Sequence, residues 1–204
     1  KQRNNLLKSI QKDYSLKDTL PVWDIQLVEC GKKLIESRNI FVEKISILAY
    51  NKHFSITGGK EELKLKYSPN VSIEDFEYKL NSHIERDIFT GNTNVGPHKD
   101  DIDFYINNSD VKIYGSQGQQ RTAALSAKLA EIELIEQETG LKPVLLLDDV
   151  LSELDETRQK YLLDTINNIQ TIITCTGIED AIKRYEKSSF IYKVKNGSIL
   201  KQTL

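Results

Sequence analysis

The sequence predicts an α/β fold, with a parallel β-α-β unit in its second half and a mainly helical first part. Three observations carry this. The run Val144 to Leu147 is apolar without alternation, as in a strand covered on both faces of a parallel sheet. A helical pattern from Asp155 to about Asn167 then leads to a second β-branched run, Ile169 to Thr176, which makes a crossover unit. Before Gly58 the apolar residues recur at helical spacing, interrupted by Pro21.

The elements follow in order. Leu6, Leu7, Ile10 and Tyr14 keep a spacing of three to four and predict a first helix. Pro21-Val22 opens a long helix running to about Phe54, with proline in the first turn where it is tolerated. Leu27, Leu34, Phe41 and Leu48 recur along it every seven residues, while Cys30, Ser37 and Lys44 fill the complementary position poorly. Half a seam fits an antiparallel helical arm, and an amphipathic helix laid on a core fits equally well. Gly58-Gly59 ends the region. A strand from Leu63 to Tyr67 and a helix from Ile73 to Asp87 follow, with Ser72 as N-cap and Asp75 three residues on. Gly91 to Gly96 reads as a loop. Ile102 to Ile106 and Val111 to Tyr114 flank Asn107-Asn108-Ser109-Asp110 and read as a hairpin. The helix from Gln117 to Glu138 carries Leu125, Leu129, Ile132 and Ile135 on one stripe and Ala123, Ala127 and Ala130 on another. Phe190 to Val194, the Asn196-Gly197 turn and Ile199-Leu200 predict a closing hairpin.

Composition narrows the function classes. With 204 residues, 39% hydrophobic and 28% charged, the chain is of the globular type. A net charge of -2 provides no overall basic field. Cys30 and Cys175 lie in no paired or metal-ligand spacing, which fits a reduced, cytoplasmic setting. No apolar run approaches the ~18 residues that cross a bilayer, and no signal-peptide pattern opens the chain. A start at Lys1 and the absence of Met suggest a fragment of a longer protein.

Two places carry chemistry. Ser116 is a good N-cap, and Gln119 completes a capping box, which is a sufficient structural reason for both. Yet Gln117 to Gln120 hold no Asp or Glu, although the helix dipole favours one by roughly 0.3–1 kcal/mol. The first charge is the cation Arg121, and Gly118 allows close backbone approach, as an external anion requires. The helix at Asp155 does the opposite, with Asp155 and Glu156 filling its start. Asp148 and Asp149 end the strand at Val144–Leu147, where ligands of open α/β sheets bind. A carboxylate there suits Mg²⁺ beside nucleotide phosphates, and a second can polarise water; both are also ordinary turn or capping residues. No Gly-x-x-x-x-Gly-Lys-Ser/Thr occurs. At Gly59-Lys60 the first glycine is replaced by Phe54 and the hydroxyl residue by Glu61.

Gly115-Ser-Gln-Gly-Gln-Gln-Arg121, Thr122 to Glu131, Pro143-Val-Leu-Leu-Leu-Asp-Asp-Val150 and Ser152-Glu-Leu-Asp155 resemble the bacterial RecF family of recombination-repair proteins. Gly96-Pro97-His98-Lys99-Asp100-Asp101 and Trp23-Asp24-Ile25-Gln26-Leu27 fit the same family. The resemblance spans nearly the whole chain and only the C-terminal part of the family, without its Walker A loop. It implies an ABC-type ATPase head related to SMC and Rad50 proteins, with residues 1–95 as a helical arm or second lobe and 96–204 as the head portion. It further implies that Ser116, Gly118, Gln119 and Arg121 form the signature region contacting ATP held by the opposite subunit. Asp148 would be the Mg²⁺ ligand and Asp149 the catalytic carboxylate, while Ser152 to Asp155 would form the D-loop at the dimer interface. Implied partners are gapped DNA, RecR and the RecA-loading machinery, in an ATP-dependent homodimer and with no membrane.

The chain departs from the wider class in three positions and one region. Gly115 and Gln117 flank Ser116 where Leu and Gly are usual, Asp149 replaces a longer Glu, and Thr174, Cys175 and Thr176 occupy the place of a histidine switch. These fit slow, switch-like hydrolysis. The competing readings are the head of another SMC-like or nuclease-associated ATPase, and a non-catalytic helical and α/β interaction module.

Overall fold

In the computed structural model of the chain, residues 1–166, 168–176 and 190–202 are described. A short helix α1 (Gln2–Ile10) and a 3-10 turn (Tyr14–Thr19) lead into α2 (Leu20–Ile56), which is 37 residues long. Strand β1 (Leu63–Ser68), helices α3 (Phe76–Ser82) and α4 (Ile84–Thr90), and strands β2 (Asp101–Ile106) and β3 (Ser109–Asp110) follow. Then come α5 (Val111–Tyr114), α6 (Gln117–Thr139), β4 (Leu145–Asp148), α7 (Glu156–Ile166), β5 (Thr171–Thr174) and the hairpin β6 (Ile191–Lys195) and β7 (Ser198–Gln202). β4 and β5 pair in parallel with α7 between them in sequence, so the crossover unit forms as expected. The predicted end of α7 at Asn167 lies outside the described residues.

The long helix turns a different face to the core than its heptads suggest. Its buried positions are Leu20, Asp24, Val28, Gly31, Ile35, Val42, Ile45, Ala49, His53 and Ile56, a stripe with steps of three, four or seven. Leu34 and Phe41, two of the expected seam residues, are 43% and 41% exposed; Leu27 and Leu48 pack at the core margin. The true seam runs one residue later, through smaller and β-branched side chains that allow close approach. Gly31 shows why. A Cβ there would lie 2.3 Å from Cε1 of the fully buried Phe76. Of the two forms considered for this helix, the described residues show the amphipathic one.

Three further expectations are corrected. The helix from Ile73 to Asp87 is two helices meeting at His83; Asp75 N–H does donate to Ser72 Oγ at 3.1 Å, but α3 starts one turn later. The hairpin after Ile106 turns at Asn107 and Asn108, both with positive φ, but its second strand stops at Asp110. The Asp110 carboxylate accepts from the N–H groups of Lys112 and Ile113, so it caps α5 where a strand was expected. Strand β4 is covered on one face only: Leu145 and Leu147 turn inward, whereas Val144, Leu146 and Ile172 are exposed.

α6 is the wall between two cores. Ala123, Ala127, Ala130 and Leu134 pack with α2, β1, β2 and Phe76. Leu125, Leu129 and Ile132 pack with Leu147, Leu151, Leu162, Leu163 and Ile56. The two predicted stripes are thus both used, with Ile135 falling outside at the surface. β1 and β2, which lie on either side of residues 95 and 96, pair antiparallel from Leu63↔Ile106 to Ser68↔Asp101. No helix among the described residues is long and apolar enough to cross a membrane.

Buried carboxylates tie the elements together. Asp100 accepts from Arg38 at 2.8 Å, from Tyr67 and from Asn70 N–H at 2.9 Å, which joins α2 to β1 and the loop before β2. Near the amino end, the Arg3 guanidinium donates to Asp24 at 2.6 Å and to Asp87 at 2.7 Å. Asp87 is fully buried, and its second oxygen accepts from both nitrogens of Asn94. Removing the cation strands two buried carboxylates, so Arg3→Ala is expected to lower unfolding free energy by about 3–5 kcal/mol. Urea unfolding at neutral pH checks this, with Lys8→Ala, an exposed neighbour, as the control of little effect.

Candidate functional site

The start of α6 is exposed and capped from within. Ser116 Oγ accepts from Gln119 N–H at 3.2 Å, and Gln119 Oε1 accepts from Ser116 N–H at 3.0 Å, the reciprocal box expected from the sequence. Of the donors at this end, Gln117 and Gly118 N–H are the two that the box does not take up. The Ser116 hydroxyl hydrogen also stays available, because its oxygen serves as the acceptor. These groups face solvent at the positive end of a 23-residue helix, the geometry that binds anions.

Two side chains that sequence reasoning missed frame this turn. Arg158 of α7 brings its guanidinium so close to Gly118 that a Cβ there would lie 3.3 Å from Nη1. The same Nη1 pairs with Asp155 at 3.2 Å, and Asp155 Oδ1 accepts the Arg158 N–H at 3.0 Å. Gly118 and Asp155, read from the sequence as parts of two motifs, are therefore joined by one cation. The spacing of three between Asp155 and Arg158 was the available signal.

The second residue is Glu61, between α2 and β1. Its Oε1 accepts from Gln119 Nε2 at 2.9 Å, and its Oε2 lies 3.1 Å from His53 Nε2. His53 has no exposed surface, and its Nδ1 lies 3.1 Å from Ser126 Oγ inside α6. Burial pushes the His53 imidazole below its ordinary value, against the pull of Glu61. A neutral ring can donate Nε2–H to Glu61, while its Nδ1 shares the one Ser126 hydroxyl hydrogen with Thr122 O, which lies 2.7 Å from Ser126 Oγ. The helix start therefore has a carboxylate behind it, one side chain removed, although its own first turn has none. Nothing in local sequence pattern pointed to Glu61.

The carboxylates lie at the end of β4. Asp148 is exposed on the open face of the sheet, with Thr174 beside it in register, and Thr174 Oγ1 donates to Asp148 Oδ1. Asp149 N–H donates to Thr174 O at 3.0 Å, and Asp149 takes the left-handed conformation at φ 52, which Asp tolerates better than most residues. Its carboxylate is exposed; burial pushes the Cys175 thiol up, and the Asp149 charge adds to it. Ser152 Oγ donates to Asp149 O at 2.7 Å, fixing the turn that leads to Asp155. No cluster of three or more His, Cys, Asp or Glu among the described residues could hold a metal by itself. A single carboxylate braced by a hydroxyl fits Mg²⁺ that shares phosphate and water ligands.

Ser116, Gly118 and Gln119 thus gather with Arg158, Glu61 and Asp155, while Asp148 and Asp149 meet at Thr174, with Ser152 bonded to Asp149. Arg121 is exposed on the next turn of α6. The first group presents backbone donors and a cation, the second carboxylates.

No family model matches the chain. It is 54% identical over 200 residues to the DNA replication and repair protein RecF of Lachnoclostridium phytofermentans, covering 98% of this chain and 56% of that one. RecF of Lachnospira eligens is 49% identical over 203 residues, with the same shares covered. The chain therefore spans 56% of the length of these relatives. The structure of the recombination mediator protein RecF-ATPrS in the RecFOR pathway aligns with a TM-score of 0.82 and 34% identity, over 99% of this chain and 55% of that one. RecF-ATP of the same pathway gives 0.80 and 35%, with the same shares. An SMC ATPase structure aligns with a TM-score of 0.52 at 14% identity, over 83% of this chain and 89% of that one, a likeness of fold alone. The α/β architecture is that of RecF and SMC ATPase heads.

The buried histidine sets a pH dependence. Its folded value lies below the ordinary 6.5, so between the two values the unfolded chain binds a proton that the folded chain does not. Stability is therefore expected to be full above pH 6.5 and to fall as the pH drops through the folded value. Urea midpoints for wild type should decline over that range, and His53→Gln should flatten the decline.

Proposed function

Because the chain corresponds to the C-terminal part of RecF-family proteins, we propose that it supplies half of each ATP site in a recombinational DNA-repair ATPase. In this reading two copies sandwich ATP, each offering its Ser116 turn to a triphosphate held by the other. The observation that carries it is the pairing of an exposed α6 start with an exposed Asp148–Asp149 pair, in a chain 54% identical to a RecF protein.

Each residue then has a role. Gln117 and Gly118 N–H and the Ser116 hydroxyl bind γ-phosphate oxygens, and they stabilise the charge that builds up as the terminal phosphate transfers to water. Gln119 holds that turn in shape through the capping box, and Arg121 adds positive charge one turn on. Asp148, braced by Thr174, would hold Mg²⁺, which when bound neutralises phosphate charge. Asp149 orients the attacking water; its short side chain and left-handed backbone fit slow turnover used as a switch. Ser152 and Asp155 place the D-loop at the dimer interface, with Asp155 holding Arg158 against Gly118. Residues 1–95 serve as the helical second lobe and 96–204 as the head portion. The larger function is ATP-dependent binding at gapped DNA in the cytoplasm, with RecR, to help load RecA.

One observation favours a second reading. The Ser116 box is complete, and Asp155 caps α7 through Arg158 N–H, so both are locally satisfied as in a non-catalytic interaction module. The two readings part when the chain is joined to a RecF N-terminal segment carrying the phosphate loop. ATP turnover in that protein should fall by about 10²-fold or more in both Ser116→Arg and Asp149→Asn, the scale of losing one transition-state contact. Turnover equal to wild type in both variants supports the second reading and removes the first.

A further inference from the structure

Resting on the reading above, we propose that Glu61, braced by His53, is a positioning residue for the Ser116 turn. The geometry is a continuous chain of hydrogen bonds. Ser126, buried in α6, meets His53 of α2 at 3.1 Å, and His53 meets Glu61 at 3.1 Å. Glu61 then accepts from Gln119 Nε2 at 2.9 Å, and Gln119 Oε1 holds Ser116 N–H at 3.0 Å. The chain leaves α6 at Ser126, passes through the last turns of α2, and returns to α6 at its first turn.

This closes a triangle whose fixed side is buried. His53 is fully enclosed, so it cannot swing away from Glu61 without opening the core. Glu61 in turn selects the orientation of the Gln119 amide, NH2 toward the carboxylate and oxygen toward Ser116. A reversed amide would place two oxygens together and aim its NH2 at the Ser116 N–H. The capping box and the strut therefore share one side chain, and the carboxylate determines which atom of it faces the helix start. Loss of Glu61 frees Gln119 to rotate, leaves Ser116 N–H without its acceptor, and loosens the turn that presents Gln117 and Gly118.

Position and charge make opposite demands at this site. A carboxylate near a helix N-terminus competes with an incoming anion, so if charge alone counted, its removal would strengthen nucleotide engagement. A positioning residue gives the reverse.

The test uses the chain joined to a RecF N-terminal segment, with ATP-driven dimerisation followed by sedimentation and turnover split into kcat and KM. Glu61→Ala is expected to weaken dimerisation and kcat by about tenfold, as for loss of a hydrogen bond to a charged group. Glu61→Gln keeps an oxygen for the Gln119 NH2, and its own NH2 meets His53 Nε2 once the neutral ring carries its proton on Nδ1 toward Ser126 Oγ, so it should stay close to wild type. Gln119→Ala cuts the strut at its surface end, keeps the buried histidine pair intact, and should match Glu61→Ala, so the test stands even if Glu61→Ala folds poorly. Equal or tighter dimerisation in Glu61→Ala, or Glu61→Gln as weak as Glu61→Ala, overturns the proposal. Ser116→Arg separates the two levels: if it leaves dimerisation and turnover intact, the site reading itself is wrong. If it abolishes both while Glu61→Ala and Gln119→Ala match wild type, only the positioning role falls.

Discussion

Everything in this structure turns on α6 being held from both sides. Its alanine face lets α2 and β1 come close, and its leucine face packs on β4 and α7. A helix locked along both flanks cannot shift its first turn independently, so the position of Ser116 is set by two cores at once. Ion pairs from Lys52 to Glu133 and from Lys44 to Glu138 run along the same α2–α6 contact. The exposed end of an immobilised helix is what a pre-arranged anion site requires, since donors that need no reordering are worth most.

Two helix starts in the same head are finished differently. α7 has its own carboxylate in Asp155, which takes up the guanidinium and the backbone N–H of Arg158. α6 uses an uncharged box, with its nearest carboxylate, Glu61, set behind Gln119 and away from the first free N–H groups. Arg158 links the two by lying against Gly118. β4 and β5 leave one face open, and Asp148 and Thr174 lie on that face with Leu146 and Ile172.

Much of this was legible in the sequence because it rests on local rules. Ser116 with Gln119, the Asn196-Gly197 turn, the double stripe of α6 and the β4–α7–β5 crossover are each specified by residues a few positions apart. The misses share a different cause. The seam of α2 follows Gly31 and Ala49, small residues that make contact because Phe76 and α6 approach closely, which spacing alone cannot reveal. Asp110 was passed over as a capping residue because alternation around it imitates a strand. Both faces of β4 are apolar, so its pattern was the same whether one face or two would be covered. Glu61, His53 and Thr174 meet their partners across 58, 73 and 26 positions, beyond any local pattern.

In the proposed function the Ser116 turn and the Asp148–Asp149 pair serve one triphosphate from different copies. Mixing tests it in the protein completed with a phosphate loop. A Ser116→Arg copy mixed with an Asp149→Asn copy should regain turnover, because one of the two sites then draws only intact residues. A copy carrying both changes, mixed with wild type, should not support turnover at either mixed site. No recovery in the first mixture, with dimers verified, would contradict the account.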